Sequence, residues 1–199
     1  PGGMLGRSLL LVKDLMHVKS KLPIINKNYT LEKTGGEISG ESLSQYILTN
    51  TETYFLVFIN GELSKELSTL KDEEVVINSL KNTAKDDLVK EFWNNCVPKE
   101  ADSLVSMNTA LADEGAFIYV PKNTVLDKPI QIVYATNQEG EDIFSLSRAL
   151  IVIDENAQAQ ITERHQNFGD HNVFTNSVTE IIVKQNGILD FYKVQNDKE

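Results

Sequence analysis

The densest set of side chains able to hold a metal is Glu163, His165, Asp170 and His171, since imidazole and carboxylate are usual donors for zinc and iron. If 166–172 forms a loop, His165 and His171 can converge. A loop containing Gly169-Asp170 ordinarily leaves such groups in water, however, and no cysteine completes a closed ligand set. The reading is therefore no resident metal, with His165, His171 and Glu163 as the positions one would use. Glu163, Asp170, Glu180 and Asp190 also raise carbohydrate chemistry, which needs two carboxylates converging on one groove. Side chains that alternate every second residue give no reason for any two of these to share a cleft.

Cys96 is the single cysteine, so the chain can form no internal disulfide. It follows Trp93-Asn94-Asn95 at a helix end with no Cys/His signature around it to supply an activating base or cation, which reads as a structural, partly buried thiol. His17 stands alone and reads as surface. Gly2-Gly3, Gly6, Gly35-Gly36 and Gly40 lack the Lys-Ser/Thr and the strand–loop–helix setting of a phosphate cradle. Asn28-Tyr29-Thr30 matches a glycosylation acceptor only by chance, given no secretion signal. No catalytic and no cofactor-binding residue is assigned.

The chain has 199 residues and a formal charge of −10, with 41% hydrophobic and 24% charged residues. Those values describe globular material of one domain or two small ones. The scattered lysines form no basic stripe, which argues against nucleic acid. The longest early apolar run, Leu9 to Val12, is far short of the roughly 18 residues of a membrane span. With no leader-like segment and one thiol, a reducing cytoplasm is the expected setting. The start at Pro1 and the end at Glu199 read as a fragment of a longer chain.

The elements that must position these groups begin after a weakly patterned segment, 1–50. Tyr54–Ile59 is a strand by its aromatic and β-branched content, and Asn60-Gly61 supplies a hairpin turn. Glu74–Ile77 reads as a short strand and Asp86–Asn95 as a helix ended by Pro98. A second helix spans Ala101–Ala112, with Gly115 as its C-terminal cap. Beyond Gly115 the pattern is almost wholly β: Ala116–Val120, Ile130–Tyr134, Ala149–Ile153, Ala157–Ile161, Val178–Val183 and Ile188–Tyr192. A boundary near 100–115 divides an α/β region, 51–114, from a β region, 115–199.

Ile151-Val152-Ile153-Asp154-Glu155-Asn156-Ala157 superimposes on Ile181-Ile182-Val183-Lys184-Gln185-Asn186-Gly187, and Ile118–Thr124 is a weaker third copy. Each copy is strand, Asn-containing turn, strand. Asn123, Asn156 and Asn186 suit such corners because Asn tolerates the left-handed region and bonds to nearby backbone. In a stacked coil they would lie one above another. The pattern leaves open both a solenoid and an antiparallel sandwich of similar hairpins.

The string from Met107-Asn108-Thr109-Ala110 through Asp113-Glu114-Gly115 and Ala116-Phe117-Ile118-Tyr119-Val120-Pro121-Lys122-Asn123, then Lys128-Pro129-Ile130, resembles the SufB/SufD family of iron–sulfur cluster assembly proteins. Leu56–Gly61 resembles the family's N-terminal strand and turn, and Phe174–Ile181 with Tyr192–Gln195 a solenoid stretch of SufD. SufD is favoured over SufB, which usually carries a cysteine where this chain has Glu163-Arg164-His165-Gln166, and Lys128-Pro129-Ile130 also looks SufD-like. The resemblance covers about residues 52–199.

It implies a mainly β fold: a right-handed parallel β-helix, its first coils in 115–199, cut short, preceded by a small α/β region. It further implies a non-catalytic scaffold subunit acting with SufB and the ATPase SufC, serving apoprotein acceptors indirectly. No cofactor is expected within this chain, the iron–sulfur cluster being handled transiently by the whole complex. From the residues alone, a β-solenoid enzyme acting on carbohydrate or acyl substrates and a generic partner-binding β domain stay open.

Overall fold

The computed structural model describes residues 30–31, 38–48, 51–93, 95–96, 102–112, 114–137, 142–169 and 172–195. His17, Asp170, His171, the glycines at 2, 3, 6, 35 and 36, Asn28-Tyr29 and most of 1–50 lie outside the described residues. The strands are β1 (Thr30–Leu31), β2 (Tyr54–Ile59), β3 (Glu62–Leu63), β4 (Lys71–Asp72), β5 (Val76–Ser79), β6 (Ala116–Val120), β7 (Ile130–Thr136), β8 (Ile143–Ile153), β9 (Gln158–Asn167), β10 (Val173–Val183) and β11 (Ile188–Gln195). The helices are α1 (Gly40–Ser44), α2 (Leu80–Thr83), α3 (Asp87–Phe92) and α4 (Ser103–Leu111). The chain is mainly β, as its sequence predicts.

Among the described residues these strands form two mixed sheets. The first runs β1-β8-β6-β5-β4, with β10 on the other side of β8; the second runs β11-β9-β7-β2-β3. From β6 onward, successive strands alternate between the sheets, and β6, β8 and β10 pair in parallel, as do β7, β9 and β11. The self-similar stretches lie directly side by side: Ile181 pairs with Ile151, and Ile151 with Ile118. The hairpin predicted at Asn60-Gly61 is present, with β2 antiparallel to β3 and positive φ at both residues, 47° and 76°.

Alternation then distributes the side chains. Ala149, Ile151 and Ile153 of β8 face Ile130, Ile132, Ala159 and Ile161 across the space between the sheets. Their neighbours Leu150 and Val152 face outward with Phe117, under Val89 and Phe92 of α3. Met107 of α4 covers Phe144 and Leu146, and Leu43 of α1 covers Val57 and Val133. Strands buried on both faces read as unbroken apolar runs, which is why these were visible as such. Each fully buried Ile or Leu contributes about 1.5–3 kcal/mol.

The structure corrects several boundaries. β8 begins at Ile143, not Ala149, and β9 continues to Asn167, so Gln166 and Asn167 are strand and not loop. Both extensions are rich in polar residues whose burial no apolar pattern announces. Helix α4 ends at Leu111 with Ala112 as its cap residue, so Gly115 is not the cap. A Cβ at Gly115 would lie 2.2 Å from the carbonyl oxygen of Arg148, and this close backbone approach is what the glycine permits. Strand ladders join residues on the two sides of 100–115, β2 pairing with β7 and β5 with β6.

Candidate functional site

At one end of the inter-sheet space the filling turns polar. In register across the second sheet, Ile132 of β7 is followed by Glu163 of β9 and Lys193 of β11. Glu163 is fully buried, and it accepts from Thr179 Oγ1 at 2.7 Å and Ser177 Oγ at 3.2 Å, both on β10. Lys193 Nζ lies 2.8 Å from Glu163 Oε1, and His165 Nε2 lies 2.9 Å from the same oxygen. Burial would raise the Glu163 carboxyl, but hydrogen bonds from His165 and Lys193, the charge of Lys193 and the Thr179 hydroxyl outweigh it and hold the group at about 2. It is therefore an anion within the core.

An aromatic stack backs this cluster. Phe58 and Tyr134 lie 5.1 Å apart, and Tyr134 and His165 another 5.1 Å, at interplanar angles of 20° and 19°. The Tyr134 hydroxyl donates to the Arg148 carbonyl oxygen at 2.7 Å, bridging the two sheets. Burial, followed by the nearby Glu163 charge, pushes this phenol well up, so it remains a donor.

On the outer face of the first sheet, Arg148 and Glu180 form a second buried pair, with side chains 1% and 2% exposed. Arg148 also donates to Thr109 Oγ1 at 3.0 Å and stacks 4.7 Å from the Trp93 ring. Asn108 of α4 donates to the carbonyl oxygens of Ser147 and Asn176 at 2.9 and 2.8 Å. These bonds fasten α4 to β8 and β10. Cys96 joins them through its backbone N–H, 3.3 Å from Glu180, and its thiol is pushed up by burial and by the Glu180 charge. Such a thiol is a poor nucleophile.

The corners form a third constellation. Asn123, Asn156 and Asn186 have φ of 62°, 55° and 58°. Asn186 Nδ2 donates to Asn156 Oδ1 at 3.0 Å, and Asn156 Nδ2 to Asn123 Oδ1 at 2.9 Å. Charges stack beside this ladder: Lys122 bonds Glu155, and Lys184 meets Asp154 at 3.2 Å. Asn60, at the separate hairpin turn, instead joins Asn137 by bonds of 2.7 and 3.1 Å.

The structure thus brings Glu163 and His165 together, while His171 and Asp170 lie outside the described residues. Both Glu163 oxygens are occupied by donors, and among the described residues no group of three or more His, Cys, Asp or Glu could hold a metal ion. Lys193 donates to Ser177 Oγ at 2.8 Å, the opposite direction from a base activating that serine. Glu180 is locked to Arg148, and Asp190 lies exposed beside Gln160, so neither faces Glu163. Sequence reasoning missed Lys193 and Arg148. The repeat spacing was a usable signal for Lys193, because the pairing register sets it beside Glu163.

Comparison with known proteins gives two adjoining family matches: the SufBD protein N-terminal region over residues 23–132, and the SUF system FeS cluster assembly SufBD core domain over 134–199. The iron-sulfur cluster assembly protein SufD of Bacillus subtilis is 30% identical over 138 residues, covering 67% of this chain and 30% of the relative. SufB of the same organism is 31% identical over 112 residues, covering 56% and 24%. A SufBD family protein of Staphylococcus haemolyticus is 28% identical over 163 residues, covering 78% and 33%. The chain therefore spans between about a quarter and a third of the length of these relatives.

Proposed function

The chain belongs to the SufB/SufD family of the SUF iron–sulfur cluster assembly system, and from that premise we propose that it is a SufD-like, non-catalytic scaffold subunit. What supports the scaffold reading is the succession of the family's N-terminal region, 23–132, and core domain, 134–199, along one chain, a match that SufB and SufD share. SufD is preferred to SufB because Glu163-Arg164-His165-Gln166 carries no cysteine.

In this reading the alternating parallel strands and the stacked Asn corners are the first coils of a right-handed parallel β-helix. The saturated Glu163 cluster and the locked Arg148–Glu180 pair then serve as framework, and no resident cofactor is held by this part of the chain. The iron–sulfur cluster is cargo of the assembled complex. The partners are SufB and SufC homologues, with apoprotein acceptors reached through them, and the setting is the cytoplasm. No helix among the described residues is long and apolar enough to cross a membrane.

The test is affinity purification of the full-length protein from its native cells, with the co-purifying chains identified. Recovery of SufB and SufC homologues is expected. Their absence, with the bait shown to be folded by circular dichroism, overturns the scaffold assignment.

A further inference from the structure

Strand alternation sets Arg164 on the outer face of the second sheet, opposite in direction to the inward Glu163 and His165. Its neighbours in register are Val133 of β7 and Val194 of β11. The guanidinium lies 4.9 Å from the ring centroid of Tyr46, in the segment that follows α1, and Tyr46 meets Phe168 edge-on at 5.5 Å. Arg164 is half-buried, yet among the described residues it meets no carboxylate, although the chain carries an excess of ten acidic groups. Other cations do: Arg148 has Glu180, Lys193 has Glu163, and Lys184 has Asp154. The Nε of Arg164 and the Oε1 of Gln166, two residues along the same face, are buried with no hydrogen-bond partner. Gln166 is only 7% exposed.

The surroundings explain what could use these groups. Over β2 and β7, Ile38, Leu43 and Ile47 cover the outer face of the sheet. Over β11 no described residue provides that cover, and Ile188 and Tyr192 stand 51% and 61% exposed. Among the described residues the cover thus steps down at Tyr46, which stands over Arg164 of β9, with β11 beside it in register. Stacking on an aromatic ring holds a guanidinium's planar fork in place, and that fork matches a carboxylate. An amide oxygen without a donor calls for an N–H. Positions two apart on a strand are about 7 Å from one another, a span that an acidic side chain and a nearby main-chain N–H can bridge.

We propose that this step is a docking site for an acidic, extended segment of a partner polypeptide, with Arg164 as its anchor. The site is independent of the SufD-like assignment. Fluorescence anisotropy with a labelled Val-Glu-Val-Glu-Val peptide and its Gln-for-Glu isostere, titrated with the whole protein, tests it. The acidic peptide is expected to bind at least about tenfold more tightly than the isostere, and Arg164→Gln to lose the same factor, as for one charged hydrogen-bonded contact. Arg164→Lys should restore part of it, and added salt should weaken it. Equal binding of the isostere, or unchanged binding by folded Arg164→Gln, overturns the proposal. Inorganic phosphate bound as tightly as the peptide overturns it too, leaving only a general anion site. Should Arg164→Gln fail to fold, Tyr46→Leu serves instead, with a loss of peptide binding expected and no change overturning the proposal.

Discussion

Glu163 shows how one residue's setting decides its chemistry. A carboxylate beside a histidine is a metal-binding pattern when read along the chain, but here its oxygens face two hydroxyls, an imidazole and an ammonium. The result is a fixed charge. Its carboxyl stands at about 2 against an ordinary 4.5, so its contribution to stability is full above 4.5 and is lost as the pH falls toward 2. Acid unfolding followed by circular dichroism should therefore be less steep in that interval for Glu163→Gln than for the parent protein. An identical acid profile would remove Glu163 as a source of acid sensitivity. The sequence placed His165 beside Glu163, and the repeat spacing points to Lys193, but the two hydroxyls were not legible, because Ser177 and Thr179 of β10 meet Glu163 only across the space between the sheets.

At the scale of the element, the corners are the most readable feature. Three turns share an Asn at the same place, and the spacing that aligned them is the spacing at which their strands pair. Each Asn has two tasks, adopting a positive φ and bonding to the next amide. Substitution separates them. Asn156→Gly keeps the backbone conformation and loses the ladder bonds, whereas Asn156→Ala loses both. The alanine variant should cost about 1–2 kcal/mol more, the usual price of a left-handed conformation with a Cβ. Urea titration of the two variants measures the difference, and equal losses would show that backbone conformation at Asn156 carries no weight. Strand ends were less legible than corners. Ile143–Arg148 and Thr162–Asn167 were missed because serine, arginine, glutamate and histidine are buried there by partners distant in sequence.

For the whole molecule, what matters is that the two sheets bind both halves of the chain. β2 lies beside β7 and β5 beside β6, so removing either half would uncover the core of the other. Thermal unfolding should show a single transition, coincident by far-ultraviolet dichroism and tryptophan fluorescence, with Trp93 reporting on the α3 side. Two separated transitions would instead support a domain divide at 100–115. The strand-rich composition, the hairpin at Asn60-Gly61, the repeated corner and the family resemblance were legible before any fold was known, because each rests on local propensity or on order along the chain. Contacts in three dimensions settled which polar groups are buried, which hydroxyls reach Glu163, what pairs with Arg148, why residue 115 is a glycine, and where the sheets join. Those outcomes depend on contacts between residues far apart in the chain, whose energies appear only when burial has excluded water.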